Sequence, residues 1–247
     1  MCNTKESKVA LITGANKGIG FEIAKQLGLK GIKIYIGVRN ANYGESAVQK
    51  LKTLGLMQVQ YILLDLNDQE SISNAYTYLE LHEHKLDILV NNAGILKADD
   101  GTPSTTSINT IKKTFDTNFF GTFNVTQIML PLIKASHAGR IVNISSGLGS
   151  LTLNQDSSWE HASTKLIGYN SSKAALNMLT IQLAWELKDT PIKVNSANPN
   201  FTATELIADT TGGRPISEGA AMAVQLALLP EDGPSGSFFE DNQVLPW

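Results

Sequence analysis

The stretch KVALITGANKGIG, residues 8–20, constrains the fold of this chain more than any other feature. Residues 9–12 form a short, continuous apolar run of the kind that a strand buried on both faces requires. Gly14, Gly18 and Gly20 then form a turn that tolerates positive φ, and apolar residues return at helical spacing. The first amide groups of such a helix point out of the turn unpaired. The sequence therefore predicts a site for a phosphate or pyrophosphate.

Strands and helices alternate along the rest of the chain. Apolar, β-branched runs predict further strands at 32–38, 59–64, 86–90, 140–145 and 192–197, with a last one near 237–240. Helical spacing predicts the two longest helices over 108–134 and 164–187. Because strands that alternate with helices form a parallel sheet, we predict an α/β fold of the Rossmann type. This fold is a doubly wound parallel sheet of about seven strands, with helices on both faces, in a single domain over 1–247.

Residues capable of chemistry follow these strands. The residues that follow the six main strands include Gly14, Arg39, Asp65, Asn91, Ser146 and Pro199. In a doubly wound sheet the ligand site lies beyond the carboxyl ends of the strands, so these positions should converge on one crevice. The irregular stretch that follows, 200–217, is long enough to predict a substrate lid.

Composition excludes several classes of function. A net charge of −3 and a pI of about 5.8 give no general attraction to nucleic acid or to an anionic membrane. No run approaches the roughly 18 consecutive apolar residues that suggest a membrane span. Residues 1–7 are polar and lack the apolar core of a signal peptide, so we expect a flexible N-terminal tail on a cytoplasmic protein.

Tyr169 and Lys173 are four residues apart on a predicted helix and therefore share one face. A phenol is a poor base at neutral pH, but a nearby ammonium favours the phenolate. Lys173 is therefore expected to lower the pKa of Tyr169. Ser146, just beyond the fifth strand, offers a neutral hydroxyl that can hold a carbonyl oxygen beside the tyrosine. The three side chains together predict the binding and protonation of a ketone.

Five motifs occur in an order and spacing that resemble the short-chain dehydrogenase/reductase family. They are TGANKGIG at 13–20, NNAG at 91–94, NFFG at 118–121, NISS at 143–146 and YNSSK at 169–173. The match runs from about residue 8 to residue 199, and the end of the chain resembles the carbonyl reductase branch of that family.

This resemblance implies roles for individual residues. Tyr169 would be the general acid/base, and Ser146 would position the substrate oxygen. Lys173 would bind the nicotinamide ribose and tune the tyrosine, and Asn118 would support a proton-relay water. The implied cofactor site consists, besides Tyr169 and Lys173, of Gly14, Asn16, Lys17, Gly18, Ile19, Gly20, Arg39, Asp65, Leu66, Asn92, Ala93, Gly94, Pro199 and Thr204.

The choice of cofactor can be argued from the residues themselves. A chain that binds NAD through this fold usually presents Asp or Glu at the end of the second strand, where it accepts bonds from the ribose 2′-hydroxyl. This chain has Arg39 there, and Lys17 lies inside the glycine turn. A guanidinium fork and a second cation suit a 2′-phosphate, so the sequence predicts NADP.

Two features depart from the family pattern. Asn200 follows Pro199 where the family usually has glycine, and Asn is the next most tolerant residue for positive φ, so we expect the cofactor site to be kept. The wall over 148–168 between Ser146 and Tyr169 is longer than in most of the family and shorter than in the animal carbonyl reductases.

The residues leave alternatives for the function. We predict NADPH-dependent reduction of a small or medium, partly apolar ketone or aldehyde to an alcohol. An NADP-dependent alcohol dehydrogenase working oxidatively would use the same residues. A redox sensor that binds the dinucleotide without turnover would not need Asn118, Ser146, Tyr169 and Lys173 together, which argues against that alternative.

Two further interpretations concern assembly and acidic residues. The resemblance places an insertion before the tyrosine, where relatives pair through their long helices, so we favour a monomer over a homo-oligomer. The neighbouring acids Asp99 and Asp100 lie in a polar stretch and are interpreted as solvated loop residues.

Overall fold

The computed structural model describes residues 7–207 and 209–247. Within these residues eight strands form one sheet, in the spatial order β3-β2-β1-β4-β5-β6-β7-β8. The strands are β1 (Val9–Thr13), β2 (Lys33–Val38), β3 (Val59–Leu63), β4 (Ile88–Asn91), β5 (Arg140–Ile144), β6 (Lys193–Ala197), β7 (Phe238–Glu240) and β8 (Gln243–Val244). Strands β1 to β7 pair in parallel, and β8 is antiparallel to β7. The predicted doubly wound α/β sheet is confirmed.

Helices cover both faces of this sheet. In the described part of the chain they are α1 (Gly18–Gly28), α2 (Ala41–Thr53), α3 (Gln69–Glu83), α4 (Ile108–Phe115), α5 (Thr122–Ala135), α6 (Leu151–Gln155), α7 (Ile167–Glu186) and α8 (Ile216–Ala227). Helices α1, α2 and α8 contribute to one apolar cluster, and α3, α5 and α7 contribute to a second one. The sheet therefore separates two cores.

Strand β1 lies at the centre of the sheet and shows why the sequence pattern is continuous rather than alternating. Ala10 and Ile12 belong to the cluster with α1, whereas Val9 and Leu11 belong to the cluster with α5. Successive side chains of a strand point to opposite faces, so a strand that is covered on both faces needs apolar residues at every position.

The carboxyl ends of the parallel strands meet at one edge, as predicted. The strand register places Thr13 beside Gly37 and Ile144 beside Ala197. The side chain of Asn91 does not line the crevice, although its position after a strand predicted that it would. Its amide donates to Asn143 Oδ1 at 2.8 Å and to Thr126 Oγ1 at 2.9 Å, so it joins β4 to β5 and to α5.

The prediction of one continuous helix over 108–134 is wrong, because a π turn interrupts it. Helix α4 ends at Phe115, a π-helical turn occupies Asp116–Gly121, and α5 continues from Thr122. Gly121 lies so close to Leu66 that an added Cβ would be 2.6 Å from the Leu66 carbonyl oxygen. The widened turn contains Asn118, and π turns inside α-helices are frequent at functional sites.

The C-terminal hairpin was predicted only in part. Strand β7 was expected, whereas the two residues of β8 carry no pattern that could be recognised. Asp241 and Asn242 join the strands, and both have positive φ, 46° and 68°. A two-residue turn with positive φ at both positions matches the right-handed twist of the strands that it connects.

The segment predicted as a lid is irregular as far as it is described. Residue 208 lies outside the described residues, and a bridge pairs Thr202 with Arg214. The Arg214 guanidinium donates to the Pro199 carbonyl at 2.8 Å and to the carboxylate of Asp241 at 2.8 Å. These bonds attach both ends of the segment to the body of the protein. Its closing over substrate stays a prediction.

The predicted flexible tail over 1–7 falls almost entirely outside the described residues. Its last member, Ser7, is described, and its hydroxyl donates to Gln58 Oε1 at 3.5 Å. Across the described ranges, none of the helices combines the length and the apolar character needed to cross a membrane.

Candidate active site

The glycine turn is locked to the NNAG loop by Thr13, the last residue of β1. The Thr13 hydroxyl accepts from the amides of Asn92 and Ala93, both at 3.0 Å. The Asn92 side chain donates back to the carbonyls of Thr13, at 2.8 Å, and Gly14, at 3.2 Å. Gly14 has φ of 64°, and an added Cβ would be 2.9 Å from Ala93 Cα. Only glycine fits this position.

Helix α1 begins at Gly18 with an amino end that suits an anion. Lys17 is the N-cap residue, its side chain makes no capping bond, and the first turn contains no acidic residue. Gly18 has φ of 60°, and the atoms nearest to an added Cβ would belong to Thr204, at 3.9 Å. The amides at this end are therefore available to a pyrophosphate, which fits the cradle that the sequence predicts.

Arg39 and Leu66 line a cavity of about 540 Å³ at the ends of β2 and β3. Arg39 is exposed, and Leu66 is buried. Asp65, the residue before Leu66, is held by its own loop, because its Oδ1 accepts from the amide of Asn67 at 3.0 Å and its amide donates to Ser71 Oγ at 2.9 Å. The residues implied for the adenosine end of the cofactor are thus brought together.

Lys17 has a partner that the sequence did not suggest. Its ammonium forms an ion pair with Glu205, 188 residues further along the chain, at 2.5 Å. The pair is exposed, and the ammonium lowers the pKa of the Glu205 carboxyl. A ligand phosphate that uses Lys17 must therefore compete with this carboxylate.

Asn118 is buried in the π turn with every polar group of its side chain bonded. Its Oδ1 accepts from the amide of Ile95 at 2.8 Å, and its amide donates to the Ile95 carbonyl and to Ser172 Oγ, both at 3.0 Å. Gly94 lies between Asn118 and Lys173. An added Cβ there would be 3.4 Å from Asn118 Oδ1 and 3.6 Å from Lys173 Nζ.

Lys173 is 4% exposed on α7, and its ammonium donates to the Ile144 carbonyl at 2.7 Å. Nζ lies 5.7 Å from the centre of the Tyr169 ring. Removing an ammonium from water disfavours its charged form, so burial lowers the pKa of Lys173 to about 8.

Tyr169 corrects one expectation from the sequence. Burial raises the pKa of its phenol to about 12, and a hydrogen bond with the Ser146 hydroxyl opposes this rise without overcoming it. The ammonium of Lys173 was expected to lower the pKa of Tyr169. It is instead directed at a backbone carbonyl and lies beside the ring, so desolvation dominates. The phenol holds its proton at neutral pH.

The wall over 148–168 brings aromatic rings to the Ser146 side of the crevice. An added Cβ on Gly147, the residue after Ser146, would be 2.9 Å from Trp159 Cζ2. The rings of Trp159 and His161 meet edge to face with centroids 5.3 Å apart, and Phe201 lies 6.4 Å from His161. The short helix α6, which the sequence did not predict, begins this wall.

Comparison with known proteins agrees with this arrangement. A model of the short-chain dehydrogenases matches residues 8–214. The chain belongs to the short-chain dehydrogenase family. It is 34% identical to carbonyl reductase [NADPH] 1 of Mus musculus over 97% of this chain and 98% of that protein. It is 36% identical to short-chain dehydrogenase anuI of Penicillium roqueforti over 96% and 95%.

A solved structure shows the same fold. Salutaridine reductase of Papaver somniferum superposes with a TM-score of 0.80 and 29% identity, over 95% of this chain and 99% of that one. These relatives support the carbonyl reductase kind within the short-chain dehydrogenases, as the motifs of the sequence indicated.

Asp100, which the sequence analysis interpreted as a solvated loop residue, caps the helix that contains Tyr169. Its carboxylate accepts from the amides of Gly101 and Gly168, both at 3.0 Å, and from the amide of Tyr169 at 2.7 Å. Leu166, at the N-cap position of α7, has no side chain that can cap the helix. Asp100 therefore caps α7 from a distant loop and fixes the turn that contains Tyr169. In the sequence, the absence of a capping residue at Leu166 is the signal that a distant residue caps this helix.

We expect Asp100→Asn to lower kcat by about three- to tenfold and to destabilise the fold by about 1 kcal/mol, because an amide nitrogen would face a backbone donor at the start of α7. Steady-state kinetics and thermal unfolding measure the two effects. Asp99→Asn is the matched control, since Asp99 bonds to Thr110 and not to α7. Equal losses of kcat in both variants would contradict the role of Asp100.

Lys173 should titrate with a midpoint near pH 8 in the folded protein. In the unfolded chain the Lys173 ammonium keeps its proton up to about pH 10.4. Between about pH 8 and pH 10.4 the unfolded state therefore binds more protons than the folded state. The contribution of Lys173 to the free energy of unfolding thus rises with pH in this range. NMR of ¹³Cε-labelled lysines measures the midpoint, and Lys173→Arg assigns the signal. Lysine signals that all titrate above pH 10 would show that burial does not shift the pKa of this ammonium.

Proposed function

We propose that this protein reduces a ketone or aldehyde to an alcohol with NADPH, and that Tyr169 is the general acid. The observation that carries this proposal is the phenol of Tyr169, which is hydrogen-bonded to Ser146 and has its pKa raised to about 12. Such a phenol is protonated at neutral pH and is ready to give a proton to an oxygen that gains negative charge. The oxidative direction would use the same residues, with Tyr169 as the base.

Each side chain has a separate role toward the carbonyl group of the substrate. The cofactor, when bound, supplies a hydride to the carbonyl carbon. The hydroxyl of Ser146 donates to the carbonyl oxygen, and Tyr169 then transfers its proton to that oxygen, leaving a phenolate. Lys173 would bind the nicotinamide ribose, as the family resemblance implies, and its ammonium lies 5.7 Å from the centre of the Tyr169 ring. Asn118 fixes the position of the loop at Ile95 through bonds to both of its backbone groups.

The residues at the other end of the crevice fit NADP. The glycine turn presents the amino end of α1 to the pyrophosphate, and Arg39 provides an exposed cation at the end of β2 where NAD-binding chains have an acid. The carbonyl reductase of Mus musculus with 34% identity is named for NADPH, which supports the same choice here. Lys17 would add a second cation once it leaves Glu205.

The substrate proposed for this site is a small or medium, partly apolar carbonyl compound. The rings of Trp159, His161 and Phe201 lie on the Ser146 side of the crevice and provide the apolar wall. We further propose that the segment over 200–217 is the substrate lid, that the protein is a monomer, and that it acts in the cytoplasm. A dinucleotide sensor without turnover would have no use for the capped, hydrogen-bonded tyrosine.

Tyr169→Phe should remove most of kcat, because no hydroxyl remains to protonate the alkoxide, while NADPH binding should change by less than about twofold. Cofactor oxidation with a panel of carbonyl compounds measures kcat, and fluorescence titration with NADPH measures binding. Tyr76→Phe, which removes a hydroxyl bonded to Glu80 on α3, is the matched control. Near-normal turnover by Tyr169→Phe would exclude this tyrosine as the acid.

Arg39→Asp should weaken NADPH binding at least about tenfold, or ~1.4 kcal/mol, and leave NADH binding equal or improved, because a carboxylate repels the 2′-phosphate and accepts from a 2′-hydroxyl. Titrations with both cofactors measure the difference. Lys30→Asp makes the same change of charge on an exposed residue after α1. Equal losses for both cofactors would mean that Arg39 supports the fold and does not bind the phosphate.

A further inference from the structure

The segment after β6 crosses the crevice between the two halves of the proposed site. Near its start, Asn198 Nδ2 would be 3.2 Å from a Cβ added to Gly147, the residue after Ser146. Near its end, Thr204 lies 3.9 Å from the position of a Cβ added to Gly18 of the glycine turn, and Glu205 pairs with Lys17. A dinucleotide that reaches from the glycine turn to Tyr169 must therefore run along this backbone.

Asn200 has φ of 53° in the middle of this crossing. The left-handed conformation is costly for residues with a side chain, and Asn tolerates it best because its short amide can bond locally. Here the side chain does so. Asn200 Oδ1 accepts from the backbone amide of Phe201 at 2.5 Å. The backbone amide of Asn200 donates to Asn198 Oδ1 at 3.1 Å.

The remaining group of Asn200 is bonded by a carboxylate from the end of β7. Its Nδ2 donates to Glu240 Oε1 at 2.5 Å, and Asn198 Nδ2 donates to Glu240 Oε2. Both carboxylate oxygens of Glu240 thus accept hydrogen bonds from the segment that crosses the crevice. The backbone also joins the two regions, since the amide of Asn198 donates to the Phe239 carbonyl at 2.8 Å.

The hairpin that presents Glu240 is itself attached to the other end of the irregular segment. Asp241, the next residue, accepts from Arg214 with both carboxylate oxygens at 2.8 Å. The Arg214 guanidinium also donates to the Pro199 carbonyl at 2.8 Å. Glu240 therefore lies on a fixed support, and its two bonds can restrain the crossing segment.

We propose that Glu240 is a positioning residue that holds Asn200 in the left-handed conformation and thereby fixes the backbone beside the nicotinamide end of the bound cofactor. This inference rests on the proposed dinucleotide function. A glycine in place of Asn200 would reach the same φ without a side chain, so position 200 would need no carboxylate, and only the bond from Asn198 to Glu240 would remain. Glu240 and Asn200 therefore depend on each other, and this dependence is what the experiment tests.

The experiment measures NADPH binding by fluorescence titration in two backgrounds. In the natural background, Glu240→Gln places an amide nitrogen against one of two amide donors. It should weaken NADPH binding at least about fivefold, since the bonds that it disturbs involve a charged acceptor. In the Asn200→Gly background the same Glu240→Gln exchange should change the dissociation constant by less than about twofold, because glycine reaches φ near 53° unaided.

Controls separate this role from a general loss of structure. Glu231→Gln removes the same charge from an exposed residue before β7, and it should bind NADPH as the natural protein does. Asn200→Ala keeps a Cβ but loses every bond of the amide, so it should bind more weakly than Asn200→Gly. Thermal unfolding verifies that each variant is folded. Glu240→Asp, which keeps the charge and withdraws the carboxylate, replaces Glu240→Gln if that variant fails to fold.

Two results would overturn the role of Glu240. One is NADPH binding by the Glu240 variant within twofold of the natural protein. The other is a loss of equal size in the natural background and in the Asn200→Gly background, which would show that Glu240 acts elsewhere. Failure of the proposed function looks different, because the natural protein would then not bind NADPH or would bind it without oxidising it in the presence of any carbonyl compound.

Discussion

The burial of one ammonium group is the constraint on which the rest of the site depends. Lys173 is removed from water and donates to the Ile144 carbonyl, the last residue of β5. A buried ion is costly unless it has hydrogen-bond partners, and the Ile144 carbonyl is one. The stem of the lysine is closely packed as well, since an added Cβ on Gly149 would be 2.7 Å from Lys173 Cβ. Packing and hydrogen bonding thus both fix the position of this side chain.

The same burial separates the ionisation of the two neighbours on α7. It lowers the pKa of Lys173 to about 8 and raises that of Tyr169 to about 12, so the ammonium and the neutral phenol coexist at pH 7. The hydrogen bond with Ser146 opposes the rise in the pKa of Tyr169 and keeps the two hydroxyls together.

The sequence predicts the parts of this protein that are governed by local pattern. Apolar runs and helical spacing predict β1 to β7 and the longer helices, and the motifs predict candidate catalytic side chains that the fold brings together. Contacts between distant positions leave no such pattern. The cap from Asp100 to Tyr169 and the pair of Lys17 with Glu205 join residues 69 and 188 positions apart. The π turn at Asn118 is not predicted from the sequence either, because the widening of one helical turn leaves the apolar spacing on either side intact.

The late position of the hairpin in the chain has a consequence for synthesis. The glycine turn and the NNAG loop are complete once β4 has formed, so the half of the crevice that fits the adenosine and pyrophosphate can assemble early. The segment from Pro199 to Arg214 gains its anchors only when Glu240 and Asp241 emerge. On the ribosome, a nascent chain that has not reached these residues can form the predicted dinucleotide cradle before the segment beside it is anchored.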